Sequence, residues 1–200
     1  MKTTVAEPTR HFSEHLTGLK SPASSISLTE YESCTFKDCD FSEMVFTGCK
    51  FIDCTFTACN LSLIEVGGSR FRDVVFRECK VIGVNWTKAS WPRLALSSPL
   101  KFHKCIINDS SFFGLSLEEI VIEECKAHDV DFREGNFSRA NFSFTDFTHS
   151  LFGKTSLAGA DLSEAMNYDI DVHENDIKHA LFSRQEAIRL LDSLEIELVD

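Results

Sequence analysis

The most reactive side chains of the sequence are its eight cysteines. C-x4-C spacing recurs at Cys34/Cys39 and at Cys49/Cys54/Cys59, and Cys79, Cys105 and Cys125 follow. Thiols so spaced could form disulfides or converge as thiolates on zinc. The competing account is a structural slot that repeatedly takes a small buried side chain, a role free Cys fills well. All eight fall at one phase of a five-residue period, so the slot explains them together. Cys39, Cys59 and Cys79 are then expected to stack on one face, about 4.8 Å apart. Histidines stand at positions 11, 15, 103, 128, 149, 173 and 179. His128–Asp129 and His173–Glu174 are sequence neighbours and read as solvated surface, not as acid–base pairs. Gly67–Gly68 belongs to no phosphate-binding pattern and reads as a corner needing positive φ. With no nucleophile–base constellation, the sequence points to a non-enzyme, with no catalytic residue, cofactor or metal.

The elements that hold these residues follow from a period that is neither helical nor strand-like. Large apolar residues return every five positions from Phe36, Phe41, Phe46 and Phe51 through Trp86, Trp91 and Leu96. The beat slips by one residue at Ser97, Ser98 and Pro99, then resumes from Phe102 through Leu162, with Val172, Ile177 and Phe182 beyond. Of 18 Phe, 15 keep the beat, and Phe12, Phe113 and Phe144 are the exceptions. The position two before each beat residue is mostly small, and it holds every Cys. Two inward residues flanking an outward one make a minimal strand, and the remaining two must turn the chain. Repetition of that unit closes into a parallel β-solenoid. Period alone leaves the number of sides open. At Trp86 and Trp91 the choice lies between a widened coil that absorbs one extra residue at a corner and a functional bulge.

Units such as C-T-F-K-D, C-D-F-S-E, A-N-F-S-F and A-D-L-S-E resemble the pentapeptide-repeat family from Ser33 through Phe182. The resemblance implies an all-β, right-handed quadrilateral parallel β-helix with twenty residues per coil. Residues 1–24 then form an N-terminal extension with a possible irregular first coil, 25–182 the β-helix, and 183–200 a cap. Ser183 and Glu186 read as a capping box opening a helix from Arg184 to Leu194. Ala187, Leu190, Leu191 and Leu194 form its apolar stripe, and Glu195–Val199 reads as a short strand. An open solenoid end needs such a lid. Ile188, Leu190, Leu191, Leu194, Ile196 and Leu198 leave apolar surface over for a dimer contact, which the resemblance also implies.

With 31 acidic and 20 basic side chains the net charge is −11, which argues against direct nucleic-acid binding. No apolar run long enough for a transmembrane helix and no leader-like start occur, so a cytoplasmic protein is expected. Residues 1–100 carry 11 acidic and 11 basic side chains, and residues 101–200 carry 20 and 9. Twenty-residue coils would stack Asp109, Asp129 and Asp169 at one corner, with Asp131 and Asp171 just around it. A rod of about 36 Å with this column resembles a stretch of duplex DNA, which at that length carries about 21 charges. C-N-L-S-L-I (Cys59–Ile64), G-V-N-W-T (Gly83–Thr87), Trp91–Pro92, Asn108–Ser110, Asn175–Lys178 and Phe182–Leu198 resemble the gyrase-protecting branch of the family, within it the albicidin-resistance protein. That resemblance implies a dimeric DNA mimic acting on DNA gyrase or topoisomerase IV against an albicidin- or quinolone-type poison, and inhibiting the enzyme at high concentration. The sequence lacks the long loops of many quinolone-resistance relatives. The alternatives are a passive scaffold or adaptor, and a drug-sequestering binder near Trp86 and Trp91.

Overall fold

The computed structural model describes residues 9–20, 24–91, 99–194 and 196. Three-residue strands stack in parallel with a twenty-residue register, so the chain climbs one strand spacing per coil. On the first side Arg10–Phe12, Glu30–Glu32, Lys50–Ile52 and Arg70–Arg72 pair in order. The second side runs from His15–Thr17 through Thr35–Lys37, Thr55–Thr57, Val74–Arg77 and Leu100–His103 to Val121–Glu123. Single bridges such as Lys20↔Asp40↔Asn60↔Lys80 build the third side, and Ser25–Ser27 on Val45–Thr47 opens the fourth. Four sides therefore close each coil. Regular stacking begins by Arg10, inside the stretch expected to be an extension.

Every beat residue from Tyr31 through Trp86 and from Phe102 through Leu162 is buried. Rings stack coil on coil: Phe36 on Phe56 at 4.5 Å, Phe56 on Phe76 at 5.1 Å and Phe76 on Phe102 at 4.9 Å. Stacked and edge-on rings are favoured geometries, and area burial adds about 1.5–3 kcal/mol per Phe. The three Phe off the beat are all solvent-exposed. Outside the short 3-10 helix Trp86–Lys88, the described corners from Phe36 to Leu162 are made by the second residue after the beat residue, which takes φ near +50 to +70° whether or not it is glycine: Asp38 at 52°, Leu63 at 59°, Asp129 at 56°. Of Gly67–Gly68, Gly68 takes the left-handed conformation, at 63°.

Two breaks in the period differ from the sequence reading. Phe76 pairs with Phe102 and Lys80 with Ile106, a step of 26 residues, so one coil holds six surplus residues rather than one. Trp91 closes that coil against Phe71, at 6.2 Å. Ser97, Ser98 and the apparent beat residue Leu96 lie outside the described residues, while Pro99 is buried. Trp86 is fully buried, and its carbonyl accepts from Trp91 Nε1 at 2.9 Å. In the last coil Leu151 bridges Asp169 across 18 residues, whereas Asp146↔Met166 and Ser156↔Asp176 keep 20. Two residues leave one corner and two enter the next. Tyr168 and Ile170 are therefore the buried residues there, and Val172, expected on the beat, is half-buried.

The terminal helix is a nine-residue 3-10 helix, Glu186–Leu194. No capping box forms: the Glu186 carboxylate accepts from the Asn167 backbone N–H at 3.0 Å, because the shifted last coil presents that donor. Leu190 packs on the core, but Leu194 is exposed, so the expected stripe is not wholly inward. Of the expected strand Glu195–Val199, Ile196 alone is described, and it is exposed.

Candidate partner-binding surface

The cysteines form part of the scaffold. All eight are free and buried. Cys39, Cys59, Cys79, Cys105 and Cys125 make one column in which each backbone N–H donates to the sulfur one coil on, at 3.3–3.4 Å. Thr145 Oγ1 ends the column by accepting from Cys125 N at 3.2 Å. Each thiol also donates to a carbonyl, as Cys59 does to Phe36 O at 3.5 Å. Ser69 does the same on the first side, accepting from Cys49 N at 3.0 Å and donating to Phe46 O at 2.8 Å. In these columns the slot holds a small side chain that both accepts and donates, and this pairs a corner N–H that the strands leave unmatched. Burial pushes the Cys54 thiol up to about 11. The hydrogen bond each makes to its neighbour, with burial, pushes Cys79 and Cys105 up to about 12. Such thiols are neither nucleophiles nor zinc ligands at neutral pH, and no group of potential metal ligands occurs among the described residues.

Histidines pair across coils and not with their sequence neighbours. His103 Nδ1 lies 2.8 Å from Glu123 and His128 Nε2 lies 2.8 Å from Asp146. Burial works to raise Asp146, yet hydrogen bonds from Asn167, Thr148 and His128 hold its carboxyl well below the usual range. His11 and His15 are four apart in sequence, a metal-competent spacing on a helix. Here they sit on successive sides of a coil, and His11 bonds to Glu14 at 2.9 Å.

The five aspartates expected to form one acidic column are dispersed. Asp109 and Asp129 do occupy one corner column, which continues to His149, 3.6 Å from Asp129. Asp169 leaves that column: the register shift stacks it with Asp131 and Leu151 on the fourth side. Asp131 is gripped by Arg133 through Nε and Nη2, both at 2.9 Å, and this hydrogen-bonded guanidinium lowers its pKa. Asp169 accepts from Arg189 Nη2 at 2.5 Å. Asp171 turns the chain, accepting from His173 N at 2.7 Å. On the side that carries Glu118 and Glu119, Arg139 bridges both, at 2.6 and 3.0 Å.

Unneutralised charge collects instead at the C-terminal end. Residues 161–200 hold eleven acidic and three basic side chains, eight of the chain's eleven net charges. Among the described residues, exposed Glu164, Glu174 and Asp176 have no ion-pair partner. The same end exposes apolar side chains: Leu181 is 57%, Ile188 53%, Ile196 52% and Leu194 40% exposed. Leu190 and Leu191 are half-buried, and Leu198 lies outside the described residues. This juxtaposition of charge and apolar tip depends on the last coil's register, whose signal in the sequence is the interrupted beat between Leu162 and Val172.

No helix among the described residues is long and apolar enough to cross a membrane. The fold matches solved structures of QnrB1, a plasmid-mediated fluoroquinolone resistance protein. A trypsin-treated form aligns with a TM-score of 0.62 at 20% identity, covering 95% of this chain and all of that one. The full-length form gives 0.61, also at 20% identity, over 94% of this chain and all of that one. HetL, involved in heterocyst differentiation regulation in the cyanobacterium Nostoc sp. strain PCC 7120, gives 0.57 at 13% identity over 86% of this chain and 84% of that one. No curated protein sequence matches the chain. The model of the pentapeptide repeat region matches residues 29–98 and 90–162. The chain belongs to the pentapeptide-repeat family, a family of non-catalytic scaffolds.

Proposed function

We propose that this protein binds DNA gyrase as a dimeric DNA mimic and protects it from a quinolone- or albicidin-type poison. The observation that carries the reading is the C-terminal end, where described residues 161–194 hold eight acidic and three basic side chains and Leu181, Ile188 and Leu194 are exposed. Two copies joined through Leu181, Ile188, Leu194 and Ile196 place their acidic ends side by side. The result is a continuous negative middle, of the sign a basic DNA-binding surface accepts. The likeness to a fluoroquinolone resistance protein over 95% of the chain supports the same reading. The test is a gyrase supercoiling titration with and without a fluoroquinolone or albicidin. Restored supercoiling with drug, and inhibition at higher protein concentration, are expected. An assay unmoved in both respects overturns the proposal.

A further inference from the structure

The charge along the rod is banded. Residues 66–104 hold eight basic and two acidic side chains, against five and nine in residues 1–65. Folding wraps this band around two adjacent coils. Arg70 and Arg72 lie on the first side, Arg77 and Lys101 on the second, Lys104 at the corner after it, Lys80 on the third, and Lys88 ends the short 3-10 helix Trp86–Lys88. Register sets Lys101 directly over Val75 and His103 over Arg77. Further along the rod Arg133, Arg139 and Arg189 are each committed to carboxylates at 2.5–3.0 Å. In the belt, among the described residues, Arg70, Arg77, Lys80, Lys88 and Lys101 make no ion pair. Arg72 reaches Asp53 at 3.8 Å and Lys104 reaches Glu124 at 3.5 Å. Asp73 and Glu78 are the two acids within it, and they leave it strongly positive.

We propose that the first and second sides of this belt, with Arg70 and Arg72 on one and Arg77 and Lys101 on the other, flanking the corner residue Asp73, bind the phosphate backbone of duplex DNA. Three arginines supply guanidinium forks that fit phosphate oxygens. The described sides are flat and their strands are three or four residues long, so among the described residues no strand enters a groove to read bases. Contact is therefore with the backbone and is independent of sequence. The acidic end begins at Asp161, three coils above Lys101, about 14 Å at ~4.8 Å per coil. That is close to two Debye lengths at physiological salt, so its repulsion is weakened where the belt meets DNA. A net charge of −11 argues against DNA binding only when treated as evenly spread.

The test uses the full chain and a fluorescein-labelled 24-base-pair duplex, read by anisotropy without topoisomerase, so its failure is separate from failure of the gyrase reading. Four phosphate contacts predict micromolar binding at about 50 mM salt and a slope of log K on log salt of about −3 to −4. Arg70→Glu/Arg77→Glu/Lys101→Glu should abolish binding. Arg70→Gln/Arg77→Gln/Lys101→Gln, which adds no carboxylate, should weaken it at least tenfold with an unchanged circular dichroism spectrum. Lys154→Glu, outside the belt, should leave it intact. No binding up to about 100 µM at that salt overturns the proposal. So does binding that the belt variants do not change, or capture of poly-glutamate in place of DNA.

Discussion

At the scale of single residues, the repeat solves a problem of backbone bonding. A corner every five residues leaves N–H groups that the short strands cannot pair. Where the residue two positions before a beat residue is Cys, Ser or Thr, its side chain supplies an acceptor to the coil before it, while corners such as Ala140 and Ala160 turn back onto a backbone carbonyl. Cys79 N donating to Cys105 Sγ at 3.4 Å and Val84 N donating to Ser110 Oγ at 3.2 Å are the same device with different atoms. The thiols should therefore resist iodoacetamide in the folded protein, and all eight should react once it is unfolded in denaturant. They also tie stability to alkaline pH. Unfolded thiols ionise near 8.5, whereas folded Cys54 holds its proton to about 11 and Cys79 and Cys105 to about 12. Their contribution is complete below pH ~8.5 and lost as pH climbs toward the folded values, because the unfolded chain then binds fewer protons. The urea midpoint should fall between pH 7.5 and pH 10, and a constant midpoint would contradict the assignment. In the ring stack, Phe102→Ala should cost about 3–5 kcal/mol, since Phe102 is fully buried between Phe76 and Ile122 and rigid coils collapse little into a cavity. Chemical denaturation measures it.

At the scale of elements, the coils were legible from sequence because a buried large residue every fifth position admits few architectures. The exposure of Phe12, Phe113 and Phe144 was equally legible, as each falls off the beat. The breaks were not. Leu96 keeps the five-residue phase, so a surplus of six looks like a surplus of one. Three-dimensional stacking of Phe102 on Phe76 decides between them. In the last coil the two-residue shift preserves the total of twenty, so Val172 looks regular while Tyr168 and Ile170 fill the core. That shift is what displaced Asp169 from its expected column, and it also made the seat for the terminal helix. Arg189 Nε donates to Tyr168 O at 3.1 Å while Nη2 grips Asp169, and Ser193 Oγ accepts from Val172 N at 3.4 Å. Arg189→Ala should therefore loosen the helix locally by about 1–2 kcal/mol. Hydrogen exchange should quicken over residues 167–172 and 186–194 and stay unchanged in the central coils. Uniform quickening would mean that the helix and the solenoid melt together.

At the scale of the whole molecule, the rod's charge and its apolar surface coincide at one end. The tip formed by Leu181, Ile188, Leu194 and Ile196 favours self-association, and Ile188→Asp/Leu194→Asp should convert a dimer to a monomer in sedimentation equilibrium. A wild-type chain that is already monomeric would remove the geometry on which mimicry depends. The acids around the tip can then be tested apart from assembly. Glu164, Glu174 and Asp176 are exposed and unpaired, whereas Asp131 is held by Arg133 and already neutralised locally. Reversing the free acids removes potential that a basic partner would feel, and reversing Asp131 mainly disrupts an internal pair. Glu164→Lys/Glu174→Lys/Asp176→Lys should weaken inhibition of gyrase supercoiling at least tenfold and flatten its salt dependence, with the dimer intact. Asp38→Lys/Glu43→Lys, at the far end of the rod, should change neither. Equal losses from both sets would mean that gyrase responds to net charge alone, and the C-terminal end would then have no special claim to the contact.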